Sequence, residues 1–462
     1  MVQIDNLDRL KALYGEAAAV AARHGVEARL RSVVGPSVAL FWNDEANLDA
    51  LVTWKRLSAG EHTRLTGELL QSLAVPFVTG DEGANRFLVS AQAASGLLDI
   101  NGLESYSTEL HRLRCGLPQR AARDAAVDRD GQGLIRERLD MAEAVALYDA
   151  LADGRIFLAW QPVTSADDSA LVLYEEALLR LVRHDGADGR PILDESALQS
   201  GGESVAALER LGLVRALDAW VVGRVMERLK ADPTIRLACN ISAQSAVLDA
   251  WWSSLLADLV LSPDVASRLF VEITETAQFP DVSATVDFCG RLQRLGCAIV
   301  IDDFGVGRAS LRDIVALNPA VVKIDASFLR WASSEGLREG AADELRSLIA
   351  LASCRGREVI MEGVETAWMR DVAVRAGARW LQGQWVAPAV TLFPAHSSSV
   401  QTAAKDSSKD DPALPAFLQP SIEIEEAWEP NSGVRFARGL LFGLAFNTVI
   451  VGTGFGLWRW LA

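Results

Sequence analysis

The chain has 462 residues, half of them apolar, which is enough for two or three domains with cores of their own. Its formal net charge of −16 argues against binding of DNA or RNA polymers, which needs clustered Lys and Arg, although an anionic ligand still fits if metal ions lie between it and carboxylates. The five cysteines (Cys115, Cys239, Cys289, Cys297, Cys354) form no CxxC pair and the five histidines no HExxH or HxH pattern, so neither a disulfide framework nor a Cys/His metal site is expected.

In chain order, Met1–Asn6 lacks the basic-then-apolar layout of a signal peptide. Residues 1 to about 130 mix helical and strand patterns. From about 135 to 392, short apolar runs alternate with amphipathic stretches. Phe157–Trp160 leads to Gln161, Leu171–Tyr174 to Glu175-Glu176, Leu237–Cys239 to Asn240, and Leu269–Val271 to Glu272. Ala298–Ile301 then leads to Asp302-Asp303, Ala320–Val322 to Lys323, Val359–Met361 to Glu362, and Trp380-Leu381 to Gln382. Runs this apolar read as parallel strands buried on both faces. Eight of them, mostly separated by helical patterns, predict an α/β fold, a TIM-like (β/α)8 barrel preceded by a smaller α/β domain.

The polar residues fall where the strands end, and in such barrels the carboxyl ends of the strands carry the site. A lone strand-end acid is more often a helix N-cap, and Asp302-Asp303-Phe304-Gly305 alone could be a turn. Together, however, Glu176, Glu272, Asp302, Asp303 and Glu362 are expected to converge, and converging carboxylates repel unless cations lie between them. Oxygen-rich clusters suit Mg²⁺ or Mn²⁺ rather than zinc. Two ions sharing a carboxylate suit in-line attack on a phosphodiester. The single lysine, Lys323, could orient or deprotonate the attacking water, or stabilise negative charge.

Beyond the barrel, residues 393–434 read as a flexible linker, with Ser397-Ser398-Ser399 and a charged run from Lys405 to Asp411. Gly439–Trp458 then contains no charged residue and has about the length of a membrane-crossing helix. Arg435 and Arg438 precede it, Trp458 and Trp460 mark its far end, and Gly439/Gly443 and Gly452/Gly456 give GxxxG spacings. Residues 437–460 are therefore expected to be a single-pass transmembrane helix in a bacterial inner membrane, with the domains on the cytoplasmic side.

The motifs resemble the EAL domain family. Glu176-Ala177-Leu178 is the eponymous triplet, followed by Leu179-Arg180. Asn240-Ile241-Ser242, Glu272-Ile273-Thr274-Glu275, Asp302-Asp303-Phe304-Gly305, Lys323-Ile324-Asp325, Glu362-Gly363-Val364-Glu365-Thr366 and Gln382-Gly383 follow in the family's order. Gln161-Pro162 matches the opening strand, which in the family runs antiparallel. The resemblance implies hydrolysis of cyclic di-GMP to linear pGpG with two Mg²⁺ or Mn²⁺ ions. It implies that Glu176, Asn240, Glu272 and Asp302 hold one ion, and Asp302, Asp303 and Glu362 the other. Lys323 would assist the water, Glu365 would support the site from behind the ligands, Gln161, Arg180 and Gln382 would contact substrate or water, and Glu275 would stabilise the loop after Asp303. A homodimer is also implied. Two departures stand out: Val306-Gly307-Arg308-Ala309-Ser310 where the family often has Thr-Gly-Tyr-Ser-Ser, and Met361 where alanine is frequent. Neither removes a ligand.

At the N-terminus, Ile4-Asp5, Tyr14-Gly15, Val38-Ala39-Leu40 and Pro76-Phe77 resemble a degenerate GGDEF-like domain in residues 1–130, with Pro36-Ser37 in place of the acidic pair and no cyclase activity implied. An unrelated α/β sensor or a helical spacer also fits. For the whole chain, the alternatives to a phosphodiesterase are a catalytically silent cyclic-di-GMP receptor and a membrane-anchored scaffold.

Overall fold

The computed structural model describes residues 1–35, 38–51, 131–182, 198–274, 281–306, 315–334, 341–354 and 357–391, together with 75–80, 86–96 and a few further positions between 66 and 113. The chain forms two compact units, one reaching Asp153 and the other starting at Gly154.

In the first unit, strands β1 (Val2–Ile4), β2 (Ala39–Trp42), β3 (Asn47–Leu51) and β6 (Ala91–Ala93) form an antiparallel sheet in the order β2-β3-β1-β6. Strands β4 (Phe77–Thr79) and β5 (Phe87–Val89) make a separate antiparallel pair. The helix Glu16–Val34 buries Ala18, Ala22, Val26, Leu30 and Val33, a spacing that keeps one face inward. The helix Gly131–Ala152 belongs to this unit. Its Asp149 takes a bidentate pair of hydrogen bonds from Arg86, both at 2.7 Å, and its Arg138 donates to the Leu13 carbonyl. The unit thus extends past the boundary near residue 130 that the sequence pattern suggests. Pro36 and Ser37, on which the GGDEF-like reading turns, lie outside the described residues.

In the second unit the apolar runs close into a ring. Strands β7 (Ile156–Ser165), β8 (Val172–Val182), β10 (Leu237–Ser242), β11 (Leu269–Thr274), β12 (Ala298–Phe304), β13 (Val321–Ile324), β14 (Glu358–Met361) and β15 (Trp380–Leu381) are each bonded to the next, and β15 returns to β7. β9 (Leu198–Ser200) and β16 (Val390–Thr391) are short additions on β8 and β7. β7 is antiparallel to both its neighbours, and the other ring pairings are parallel. The antiparallel first strand agrees with the family expectation. β7 and β8 are longer than their apolar runs suggest, so Gln161 and Glu176 lie opposite each other within a hairpin rather than at strand ends.

One apolar layer supports the mouth. Tyr174, Ala238, Phe270, Val300, Val321, Ile360 and Trp380 pack together inside the ring, each two residues before Glu176, Asn240, Glu272, Asp302, Lys323, Glu362 or Gln382. The period of two along a strand keeps each pair on the same, inward face. On β7 the layer residue is Val163, two residues after Gln161, because that strand runs the other way. The linker 393–434 and the tail 437–460 lie outside the described residues, and no helix among those described is long and apolar enough to cross a membrane.

Candidate active site

Above that layer the predicted site residues meet. Lys323 Nζ lies 2.8 Å from Glu272 Oε2, 3.0 Å from Glu176 Oε2, 3.3 Å from Asp302 Oδ1 and 2.7 Å from Glu362 Oε1. The lysine is 1% exposed. Asn240 donates to Glu176 Oε1 at 2.6 Å, and Gln382 donates to Glu176 Oε2 at 2.6 Å and weakly to Gln161 at 3.5 Å. Gln161 in turn donates to the Ala387 carbonyl, tying β7 to the turn after β15.

Two consecutive aspartates on a regular strand would point to opposite faces. Here the register between β12 and β13 shifts between Ile301 and Phe304, adding one residue to β12, and Asp303 takes φ +57°. Asp tolerates this left-handed conformation, and the bulge lets Asp302 and Asp303 serve one site. Asp303 and Glu362 are less buried than Glu176, Glu272 and Asp302, so the cluster opens outward on their side.

Electrostatics follow from this packing. Burial lowers the affinity of Lys323 for its proton, but the four surrounding carboxylates outweigh it and hold the group well above the usual lysine value, as an ammonium. Burial and the Glu176 charge push Glu272 up to about 8, and burial with Asp302 and Asp325 pushes Asp303 up to about 6. Burial raises Asp302 and Glu362 as well. Glu176 alone of the five falls below the ordinary range. Burial is its largest single effect and would raise it, but Lys323, Gln382 and Asn240 together prevail.

The donor set fits two hard cations. Carboxylate oxygens of Glu176, Glu272 and Asp302 lie within 4.8 Å of one another, as do those of Asp302, Asp303 and Glu362, so Asp302 belongs to both groups. Asn240 Oδ1, Glu272 Oε1 and Gln382 Oε1 are buried without a hydrogen-bond partner, although buried acceptors are nearly always satisfied. Five carboxylates against one lysine leave four formal negative charges, which matches two divalent ions. Oxygen donors of this kind suit Mg²⁺ or Mn²⁺.

The remaining predicted residues are placed less uniformly. Arg180 lies four residues beyond Glu176 on the same face of β8, half-buried and close enough to feel the Glu176 charge. Glu365 is exposed, and its side chain makes no hydrogen bond or ion pair among the described residues; its backbone N–H faces the Met369 sulfur. Glu275 lies outside the described residues, as does the loop from Gly307 to Ser310. Asp325, given no role by the sequence pattern, brings its charge close enough to Asp303 to raise that group's pKa. Its position two residues past Lys323 was the available signal. Asp218, on the helix Arg215–Ala231, is also buried, and its Oδ2 accepts the Ser242 N–H at 3.0 Å at the end of β10. Nothing in its local sequence distinguishes it from a surface aspartate.

The EAL domain family model matches residues 144–389, just over half of the chain. The chain belongs to the EAL domain family. Its relatives include the cyclic di-GMP phosphodiesterase PdeF of Escherichia coli, 30% identical over 242 residues, covering 51% of this chain and 30% of that protein. The cyclic di-GMP phosphodiesterase NbdA of Pseudomonas aeruginosa is 26% identical over 352 residues, covering 74% of this chain and 42% of that protein. The chain spans about 30% of the length of the first curated relatives it matches. Among solved structures, the PaMucR phosphodiesterase in complex with c-di-GMP is 25% identical, with a TM-score of 0.45, covering 54% of this chain and 97% of that one. The EAL match contains every described site residue named above.

Proposed function

We propose that this EAL chain hydrolyses cyclic di-GMP to linear pGpG at the barrel mouth. The observation that carries the proposal is the pair of carboxylate groups sharing Asp302 around a single buried lysine. The names of its EAL relatives supply the substrate. Glu176, Asn240, Glu272 and Asp302 would hold one divalent ion, and Asp302, Asp303 and Glu362 the other. When bound, such ions supply Lewis acidity and a water that deprotonates near neutral pH.

The chain's own groups would do the rest. Lys323, held as an ammonium, serves as a positive orienter of the attacking water and of the phosphate charge rather than as a base. Gln382 and Gln161 form a polar wall beside Glu176, and Arg180 offers its guanidinium to the anionic substrate. The water oxygen bonds to phosphorus, one ring P–O ester bond breaks, and the proton released by the water ends on the departing sugar oxygen. Glu365 would support the site from behind the ligands.

In the same proposal, residues 1–130 are a degenerate GGDEF-like domain without cyclase activity. Residues 393–434 are a linker, and 437–460 anchor a homodimer in the bacterial inner membrane with the barrels in the cytoplasm. The test is incubation of the full chain with cyclic di-GMP and Mg²⁺ or Mn²⁺, with the nucleotides separated by chromatography. Linear pGpG that disappears on chelation, and in Glu272→Ala, supports the proposal. Tight binding without any linear product would instead make the chain a receptor.

A further inference from the structure

One backbone hydrogen bond beside the mouth cannot be made in the usual way. In a parallel ladder, successive residues of a strand turn their N–H groups to alternate neighbours. The Leu237 N–H of β10 goes to the Arg268 carbonyl just ahead of β11, and the Arg236 carbonyl takes the Glu175 N–H of β8. Even-numbered residues of β10 therefore face β8, Asn240 and Ser242 among them. Yet the pairing with β8 ends at Cys239 and Ala177, whereas β10 stays paired with β11 as far as Ser242 and Thr274.

The acceptor that the next step of this ladder would supply is already taken. Continued in register, the Ser242 N–H would meet the Leu179 carbonyl, but that oxygen accepts the Gly201 N–H at 3.2 Å and Arg180 Nη1 at 3.0 Å. Ser242 is buried, and a buried N–H left unpaired is costly. Asp218, in the first turn of the helix Arg215–Ala231 and only 5% exposed, supplies the substitute: its Oδ2 accepts the Ser242 N–H at 3.0 Å. The Ser242 carbonyl is held in turn by the Ser245 N–H at 2.8 Å.

This clamp lies two residues from a site residue. Asn240 shares the inward face of β10 with Ser242 and donates across to Glu176 Oε1 on β8 at 2.6 Å. Without an acceptor for its N–H, Ser242 would move to find another, and the end of β10 would carry Asn240 with it.

We infer that Asp218 is a positioning residue for the cation site: it replaces the acceptor that β8 withdraws from Ser242, and so holds the end of β10 with Asn240 directed at Glu176. The inference rests on the proposed reading of Asn240 as a cation ligand. Asp218 acts through the backbone of β10.

The experiment is calorimetric titration of the full chain with Mn²⁺ alone, at a temperature where melting in chelator shows each variant folded. It compares wild type, Asp218→Asn, Asp218→Ala, Asn240→Ala and the double variant Asp218→Ala with Asn240→Ala. Asp218→Asn keeps an acceptor oxygen and should bind Mn²⁺ as wild type does. Asp218→Ala should bind it about ten-fold more weakly, with KM for cyclic di-GMP unchanged. On the Asn240→Ala background the same substitution should have no further effect, because residues that act through one another are not additive. Undiminished affinity in Asp218→Ala, or an equal loss in Asp218→Asn, overturns the inference and leaves the metal reading standing. A loss of the same size with and without Asn240 also overturns it, since that marks a general loosening. Wild-type Mn²⁺ affinity in Asn240→Ala overturns the reading of Asn240 as a ligand, and the inference with it.

Discussion

Lys323 shows how one residue can be set by competing magnitudes. Burying an ammonium costs several kcal/mol, yet four carboxylates within 3.3 Å more than compensate. Removing it should leave those carboxylates facing one another. Lys323→Met is expected to destabilise the chain by about 3 kcal/mol in chelator, and Mn²⁺ should restore most of that loss while turnover stays abolished. Melts with and without Mn²⁺ check this, and a variant as stable as wild type in chelator would contradict it. Asp218 allows a pH test away from the carboxylate cluster. Burial raises its pKa from 3.8 to about 7, so between those values the folded state holds more protons than the unfolded chain. The stability it contributes is therefore full below the lower value, falls as pH rises, and levels off above about 7, with a slope of at most about 1.4 kcal/mol per pH unit. Asp218→Asn keeps an oxygen for the Ser242 N–H but cannot ionise. In urea titrations with chelator, its stability relative to wild type should climb between these two pKa values and then plateau. A flat difference would show that Asp218 does not titrate in that window.

At the scale of elements, what could be read in advance was the inward polar residue that closes each apolar run, because an apolar run broken by one acid, amide or lysine is a local pattern. Strand direction is not local. β7 carries the same kind of apolar run as its parallel neighbours, and only its pairing with β8 and β15 reveals that it runs the other way. The bulge at Asp302-Asp303 was hidden for a similar reason, since an extra residue exists only relative to a partner strand. The glycines of the motifs do have a local cause. Gly383 has φ +153°, and a Cβ there would fall 2.3 Å from the Val364 nitrogen and 2.4 Å from its oxygen, both backbone atoms. The same backbone strip carries the hydrogen bonds from Val364 N–H to the Gln382 carbonyl and from Trp385 N–H to the Val364 carbonyl. Gly383→Ala must push these segments apart. It should cost at least about 2 kcal/mol and swing Gln382 away from Glu176, lowering turnover as well as melting temperature. An alanine variant with wild-type stability would mean that the two segments can separate freely.

For the whole molecule, the question is where the barrel works. The run Gly439–Trp458 is uncharged, and as a helix rising about 1.5 Å per residue it would span roughly the 30 Å of a hydrocarbon core. Its glycines lower helix propensity in water, but in lipid every unpaired peptide group is costly, and that penalty favours the helix. Arg435 and Arg438 on one side and Trp458 and Trp460 on the other would fix its depth. Residues 393–462 fused to a soluble reporter should therefore sediment with membranes and resist extraction at high salt, which releases proteins held by charge alone. Val449 lies near the middle of the run, where an arginine costs about 2.5–3.5 kcal/mol. Val449→Arg should shift the reporter into the soluble fraction, whereas replacing Arg435 and Arg438 with alanine should leave it membrane-bound and alter only its orientation. A soluble wild-type fusion would remove the anchor, and with it the reason to place hydrolysis beside a membrane.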